Sequence, residues 1–349
     1  MEIRKIQRVG QSTLSITLPK RWVKEYSLKI GDVVMLNEGN DGSLILVPGN
    51  NKEISSNMEC QINGDLYDDT ILARVIIASY LRGFESIRVV WSEKVNDSTV
   101  EVIRKLIQRL NGFGILEQTD NKILLQSFID HTKFSYGSLI RRMYMVAESM
   151  CDLIEQAIEH KRKRLAEEVL NLGEESDKLY YLITRHISLG VKHFSTGKRT
   201  KNHTKVEMLN SRTAIKTLEE ICDSLENISK AVVVLLDLKI RNKNFYKEHL
   251  EICKDIRRLI HSANEASIGL NVVLANEILQ ETKNIEERLF KFMENLENSR
   301  EDVKVVTSMI KMIMEEYEIC KFINVLANDV IDNSIIFPSE QLGVSFTGV

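Results

Sequence analysis

Thr13-Leu14-Ser15-Ile16-Thr17-Leu18-Pro19-Lys20-Arg21-Trp22-Val23-Lys24 decides how the first part of the chain reads. Leu14, Ile16 and Leu18 alternate with Thr13, Ser15 and Thr17, the period-2 pattern of a half-buried strand. Pro19 has no N–H for a ladder, so it ends the strand and suits the first turn of a helix. One or two helical turns follow over 20–26, with Trp22, Val23 and Tyr26 available for burial. Upstream stands Arg4-Lys5-Ile6-Gln7-Arg8-Val9-Gly10. Downstream, Gly31-Asp32 turns into a strand over 33–36, and Asp41-Gly42 is a hairpin signal before a last strand over 44–47. Three strands and one short helix bury little core alone. Such a unit is expected to close its sheet edges against a second copy.

Charge adds a second indication. Up to Ile30 the cations are Arg4, Lys5, Arg8, Lys20, Arg21, Lys24 and Lys29, against only Glu2 and Glu25, in a chain of formal net charge −3. A local basic face of this kind is what a phosphate backbone selects. Ordinary solvated surface charge is the alternative. The run from Arg4-Lys5 through Leu18-Pro19-Lys20 to Asp41-Gly42-Ser43-Leu44-Ile45 resembles the AbrB/SpoVT/MazE DNA-binding domain, in the form found at the N-terminus of archaeal regulators. The resemblance covers about the first 50 residues. It implies an intertwined, swapped-hairpin homodimer that offers cations to DNA, with Arg4, Lys5 and Lys24 at family contact positions. Arg8, Lys20 and Arg21 join them from charge and position, while Gln11 departs from the basic residue often found after the glycine.

The whole chain has 349 residues, 43% hydrophobic and 28% charged, which suggests two or three domains. No run approaches 18 apolar residues and no signal peptide opens the chain, so a cytoplasmic location is expected. Cys60, Cys151, Cys222, Cys253 and Cys320 are widely spaced, with no C-x-x-C, and read as buried thiols. There is no P-loop, no G-x-G-x-x-G after a strand, no G-x-S-x-G and no H-E-x-x-H. The expectation is therefore a protein that is not an enzyme.

A polar linker over 50–57 separates the first module from a second, about 58–130. Its pattern is strand–helix–strand–helix–strand–strand: a capped helix from Asp68-Asp69-Thr70 to Leu81, a strand over 86–90, a helix over 99–110, and a hairpin about Asp120-Asn121. That order suits a small α/β domain with its helices on one face. Lys94, Arg104 and Arg109 read most simply as surface charges, and a spacer, dimer-support or ligand-sensing role stays open.

Residues 133–333 follow a helical period nearly throughout. Breaks are expected near 160–164, Gly173, 191–203, 241–244, 263–269 and 299–302, giving two sets of about three long helices. Laying 164–170 and 177–180 on 273–279 and 287–290, and 220–223 on 318–321, suggests a duplicated three-helix unit. Lys161-Arg162-Lys163-Arg164 and Lys198-Arg199-Thr200-Lys201 are basic inter-helix segments, and His186, His193 and His203 read as single histidines.

Leu218-Glu219-Glu220-Ile221-Cys222-Asp223-Ser224-Leu225-Glu226-Asn227-Ile228 sets Glu219 and Asp223 on one helix face, one turn apart. Two such carboxylates repel unless a cation lies between them, and hard cations favour oxygen ligands. The bland alternative is a solvated acidic face. The motif, with Arg212 upstream and Glu174–Arg185, resembles the PhoU signature, over roughly 135–333. The resemblance implies tandem three-helix bundles, acidic motifs able to hold iron, zinc or another metal, and a role in tuning phosphate uptake with the transporter and its regulators. The partner motif keeps Asp177 but has Gly173 where an acid is expected, with Glu174 beside it. In the second set Thr282 and Lys283 precede Glu286 and Glu287, and Lys321 takes the Asp223 position. At most one metal site is expected, in the first bundle, on Glu219, Asp223, Asp177 and Glu174.

The combined expectation is a multidomain α+β chain: an AbrB-like module (1–50), an α/β middle domain (58–130) and an all-α PhoU-like body (133–333). It would act as a DNA-binding transcriptional regulator of phosphate uptake. The competing reading is an accessory protein that docks on a phosphate transporter, with the first module serving only dimerisation.

Overall fold

The computed structural model describes residues 3–10, 12–38, 44–48, 59–129, 135–195, 205–238, 240–241, 245–297 and 299–335. The turn at Asp41-Gly42, the linker over 50–57, Gln11 and the basic segment 198–201 lie outside these residues.

The first module has four short strands where three were expected. β1 (Gln7–Val9) pairs antiparallel with β2 (Thr13–Ser15), with Gln7 opposite Ser15. Gly10 supplies the positive φ, +72°, that the intervening turn needs. The ladder stops at Ser15, so Ile16 and Leu18 lead to Pro19 in extended but unpaired chain. Pro19 is the N-cap of α1 (Lys20–Glu25), one position earlier than the first-turn place expected. β3 (Val34–Glu38) and β4 (Leu44–Pro48) form the second antiparallel pair. No residue of α1 is buried, and Ile6, Leu14, Val33 and Leu36 are all exposed. Among its described residues the module has no buried hydrophobic core within one copy, as expected of a unit that depends on a partner.

The middle domain runs β5 (Glu59–Asn63), α2 (Asp69–Leu81), β6 (Ser86–Val90), α3 (Asp97–Ile107), β7 (Phe113–Thr119) and β8 (Lys122–Ser127). The sheet order is β5-β6-β8-β7, with β5 and β6 parallel and β8 antiparallel to both neighbours. Both helical crossovers therefore step the same way across the sheet, and right-handed connections put α2 and α3 on one face. Asp68 caps α2 by accepting from the Ile71 N–H at 2.8 Å. Ile76, Tyr80, Ile87, Val89, Ile123 and Leu125 form the closed core between helices and sheet.

Six helices follow: α4 (Tyr136–His160), α5 (Lys163–Ser195), α6 (Lys205–Leu236), α7 (Phe245–Gly269), α8 (Val272–Glu297) and α9 (Val303–Ser334). α4, α5 and α6 pack on one another, as do α7, α8 and α9, and the two sets join through α4 on α7 and α6 on α9. Apolar stripes such as Ile215, Leu218, Cys222, Leu225 and Ile228 on α6 enter one continuous core. Two expected breaks move. α5 runs unbroken through Gly173, because a single helical glycine costs only about 1 kcal/mol against alanine and tertiary packing overrides it. The break expected at 263–269 falls after Gly269, where Leu270 takes φ 45° and Asn271 accepts from the Leu274 N–H at 3.1 Å to start α8. No helix among the described residues is long and apolar enough to cross a membrane.

Candidate functional site

Two regions carry chemistry. The first is the basic face of the N-terminal module. Arg4, Lys5, Arg8, Lys20, Arg21 and Lys24 are all exposed. Arg8 lies on β1, Lys20, Arg21 and Lys24 on α1, and Arg4 and Lys5 on the extended segment before β1.

The second is built where α5 crosses α6. The 3.6-residue period sets Glu219, Asp223 and Glu226 along one stripe of α6, facing Gly173 and Asp177 on α5. One carboxylate oxygen each from Asp177, Glu219 and Asp223 lies within 4.8 Å of the others. Of the four acids expected from the sequence these three come together. Glu174 is exposed and stands outside the trio, although it lines the same cleft as Asp177.

Opposite Gly173, where an acid was expected, lies Glu226 of the facing helix. A Cβ at Gly173 would run into the carboxylate of Glu226. The glycine is thus the space that lets Glu226 lie against α5. Glu226 was passed over in the sequence, although it stands three residues after Asp223 and seven after Glu219.

Electrostatics show crowding. Asp223 is pushed up to about 6, by desolvation first and then by Glu219, Asp177, Glu226 and Glu220. Glu219 is also raised, chiefly by burial, although Lys216 pulls the other way. Two cations balance the cluster. Lys216 bonds Glu219 and reaches Glu220 at 2.7 Å. Its own pKa is raised: burial opposes the charge, but the bonds to the two glutamates outweigh it. Arg109, just past α3 in the middle domain, donates from Nη2 to Asp177 Oδ2 at 2.5 Å. No sequence pattern signals this contact, which joins positions 68 apart. Arg109, read as a surface charge, instead ties the middle domain to the cluster.

The second bundle lacks an equivalent trio among the described residues. Thr282 is buried and donates to Asn324 Oδ1 at 2.6 Å, and Lys321 pairs with Glu318 at 2.8 Å. Among the basic segments, Lys163 pairs with Asp237 at 2.5 Å.

The fold is two packed three-helix bundles that follow, in chain order, a small β module and an α/β domain. Residues 140–232 match the model of the PhoU domain. Residues 7–53 match that described as "Antidote-toxin recognition MazE, bacterial antitoxin". Among solved structures, PhoU from Pseudomonas aeruginosa is similar with a TM-score of 0.50 and 16% identity, over 56% of this chain and 93% of that one. No curated protein matches the chain. Residues 140–232 and 7–53 are thus similar to the PhoU domain and to a MazE-type domain, and the helical body shares the fold of the solved PhoU structure.

Proposed function

We propose that this protein is a DNA-binding transcriptional regulator of phosphate uptake, working as a dimer through its N-terminal module. The observation that carries the reading is the pairing, in residues 3–48, of an exposed cationic set with an apolar surface that one copy leaves uncovered. A second copy would cover the apolar residues and double the cations presented to a phosphate backbone. The match to a MazE-type domain supports the dimer, and the PhoU domain supports the link to phosphate.

In the same reading one divalent cation is held by Asp177, Glu219 and Asp223. Three oxygen donors within 4.8 Å, with no His or Cys among them, suit a hard ion such as Mg²⁺, Mn²⁺ or Fe²⁺ better than zinc. The cation would relieve the like-charge crowding at Asp223. Signal and DNA affinity are coupled only if the signal binds the two states of the dimer unequally.

The test is DNA binding by the full chain against salt, using the upstream regions of phosphate-transport operons and unrelated DNA of equal length. A steep loss of affinity with salt, blunted in Arg4→Ala/Lys24→Ala, and a preference for the transport operons are expected. Absence of binding at low salt would sink the reading and leave the module as a dimerisation clip on a transporter-docking protein.

A further inference from the structure

Next to the carboxylate trio lies a cleft of about 540 Å³, bounded by α3 and the turn after it on one side and by α5 and α6 on the other. Lys105, Gln108 and Arg109 line it from the middle domain, opposite Lys178 and Lys230 and the carboxylates Glu174, Asp177 and Glu226 on the helices. We propose that this cleft binds a phosphoryl oxyanion, completed by the divalent cation on Asp177, Glu219 and Asp223. The inference rests on the metal reading above and adds the ligand that the metal and the middle domain hold together.

Charge placement is the first argument. Four cations, from α3 and the turn after it and from α5 and α6, face one solvent-open concavity. Carboxylates hold three of them now: Arg109 is paired with Asp177 at 2.5 Å, Lys230 with Glu226 at 3.2 Å and Lys105 with Glu101 at 4.0 Å. A divalent ion needs Asp177. Taking it turns Arg109 from a partner of the cluster into a guanidinium without its carboxylate, beside Lys105 and Lys178. Glu174 and Glu226 remain in the lining, and an oxyanion can take the place that Asp177 leaves at Arg109.

Coordination chemistry is the second argument. Three monodentate carboxylates leave a hard octahedral ion about half-coordinated, and such ions complete their shells with water and phosphoryl oxygens. The guanidinium fork matches two oxygens of a tetrahedral oxyanion. Arg109 touches the cluster, so one oxyanion can meet the metal and the arginine at once. The two ligands then bind in order, metal before oxyanion, and each raises the affinity of the other by the same factor.

The experiment uses the full chain and Mn²⁺, read by electron paramagnetic resonance of the free ion and by calorimetry. Mn²⁺ binding is titrated with and without inorganic phosphate, with AMP as the organic phosphate and sulfate as the control. The expected result is Mn²⁺ binding weakened in Glu219→Gln/Asp223→Asn, and tightened ten-fold or more by phosphate or AMP but not by sulfate. Response to phosphate alone assigns the free ion, and response to AMP alone an esterified phosphate. In Arg109→Gln, which removes the competitor for Asp177, Mn²⁺ should bind at least as tightly while its response to phosphate disappears. A merely structural Arg109 would not separate the two. Mn²⁺ binding sensitive to Glu219 and Asp223 but indifferent to every phosphate overturns this inference and leaves the metal reading standing. No Mn²⁺ binding overturns both.

Discussion

Arg185 of α5 donates from Nη1 to the carbonyl oxygen of Tyr80 at 2.7 Å, and that guanidinium is wholly buried. The same nitrogen reaches the carbonyl of Phe84 at 2.8 Å, so one arginine from the helical body satisfies the C-terminal end of α2 and the loop after it. Its guanidinium lies 4.9 Å from the Tyr80 ring centroid and 5.0 Å from that of Phe113. Burial brings its pKa down to about 10, which leaves the charge in place at neutral pH.

Arg185→Met keeps the stem but removes the charged donor from both carbonyls, although that of Tyr80 still accepts from the Gly83 N–H at 2.9 Å. The expected cost is about 2 kcal/mol, from the lost charge-assisted hydrogen bonds and cation–π contact. Hydrogen exchange should accelerate at 78–84 while the α7–α9 bundle keeps its protection. Uniform loss of protection across both bundles would mean that Arg185 supports the fold as a whole, not the junction.

The second bundle has a different buried pair. His249 Nδ1 is 3.0 Å from Glu316 Oε1, and both side chains are fully buried among Phe245, Phe292 and Cys253. Removing one partner strands the other, so His249→Leu should cost about 3–5 kcal/mol in urea unfolding. His249→Leu/Glu316→Met should recover most of that loss. A double variant as unstable as the single one would show that shape, not pairing, governs the site.

Asp329 lines a small cavity of about 70 Å³ with Tyr144, Ser211 and Asn333. Burial first, and Asp332 second, push it up to about 6. The folded state thus holds this proton more tightly than the unfolded chain does. Its contribution is favourable at low pH and is lost as pH rises from about 4 through about 6. Asp329→Asn should therefore stabilise by about 1–2 kcal/mol at pH 8 and by clearly less at pH 5. Equal gains at both values would remove titration of Asp329 as the cause.

Gly173 offers a test by sign. Alanine in a helix interior normally gains about 1 kcal/mol over glycine. Here the new methyl meets Glu226, so Gly173→Ala should lower the melting temperature or leave it unchanged. Adding Glu226→Ala should restore the ordinary gain. Stabilisation by Gly173→Ala alone would show that Glu226 swings aside at no cost.

Much of the architecture was readable because it is written locally. The cap at Asp68, the hairpin at Asp120-Asn121 and the stripe from Leu218 to Ile228 each announce their element within a turn or two. Glu219 and Asp223 were visible for the same reason. What stayed hidden depends on approach between distant segments. Gly173 read as a helix break because propensity does not know that Glu226 lies opposite. Glu174 stands next to Gly173 in sequence, yet its carboxylate is not among the three that come together. Arg109 carried no pattern at all, since its partner lies in another domain.

That last contact bears on how such proteins can be assembled from parts. The three domains read as interchangeable modules, yet Arg109 sits on one side of the seam and Asp177 on the other. A recombination event that exchanged the middle domain would carry off the guanidinium and leave the carboxylates behind. The contact therefore favours inheriting the middle domain and α5 together. Lineages that keep Asp177, Glu219 and Asp223 but carry another N-terminal module should keep Arg109 as well.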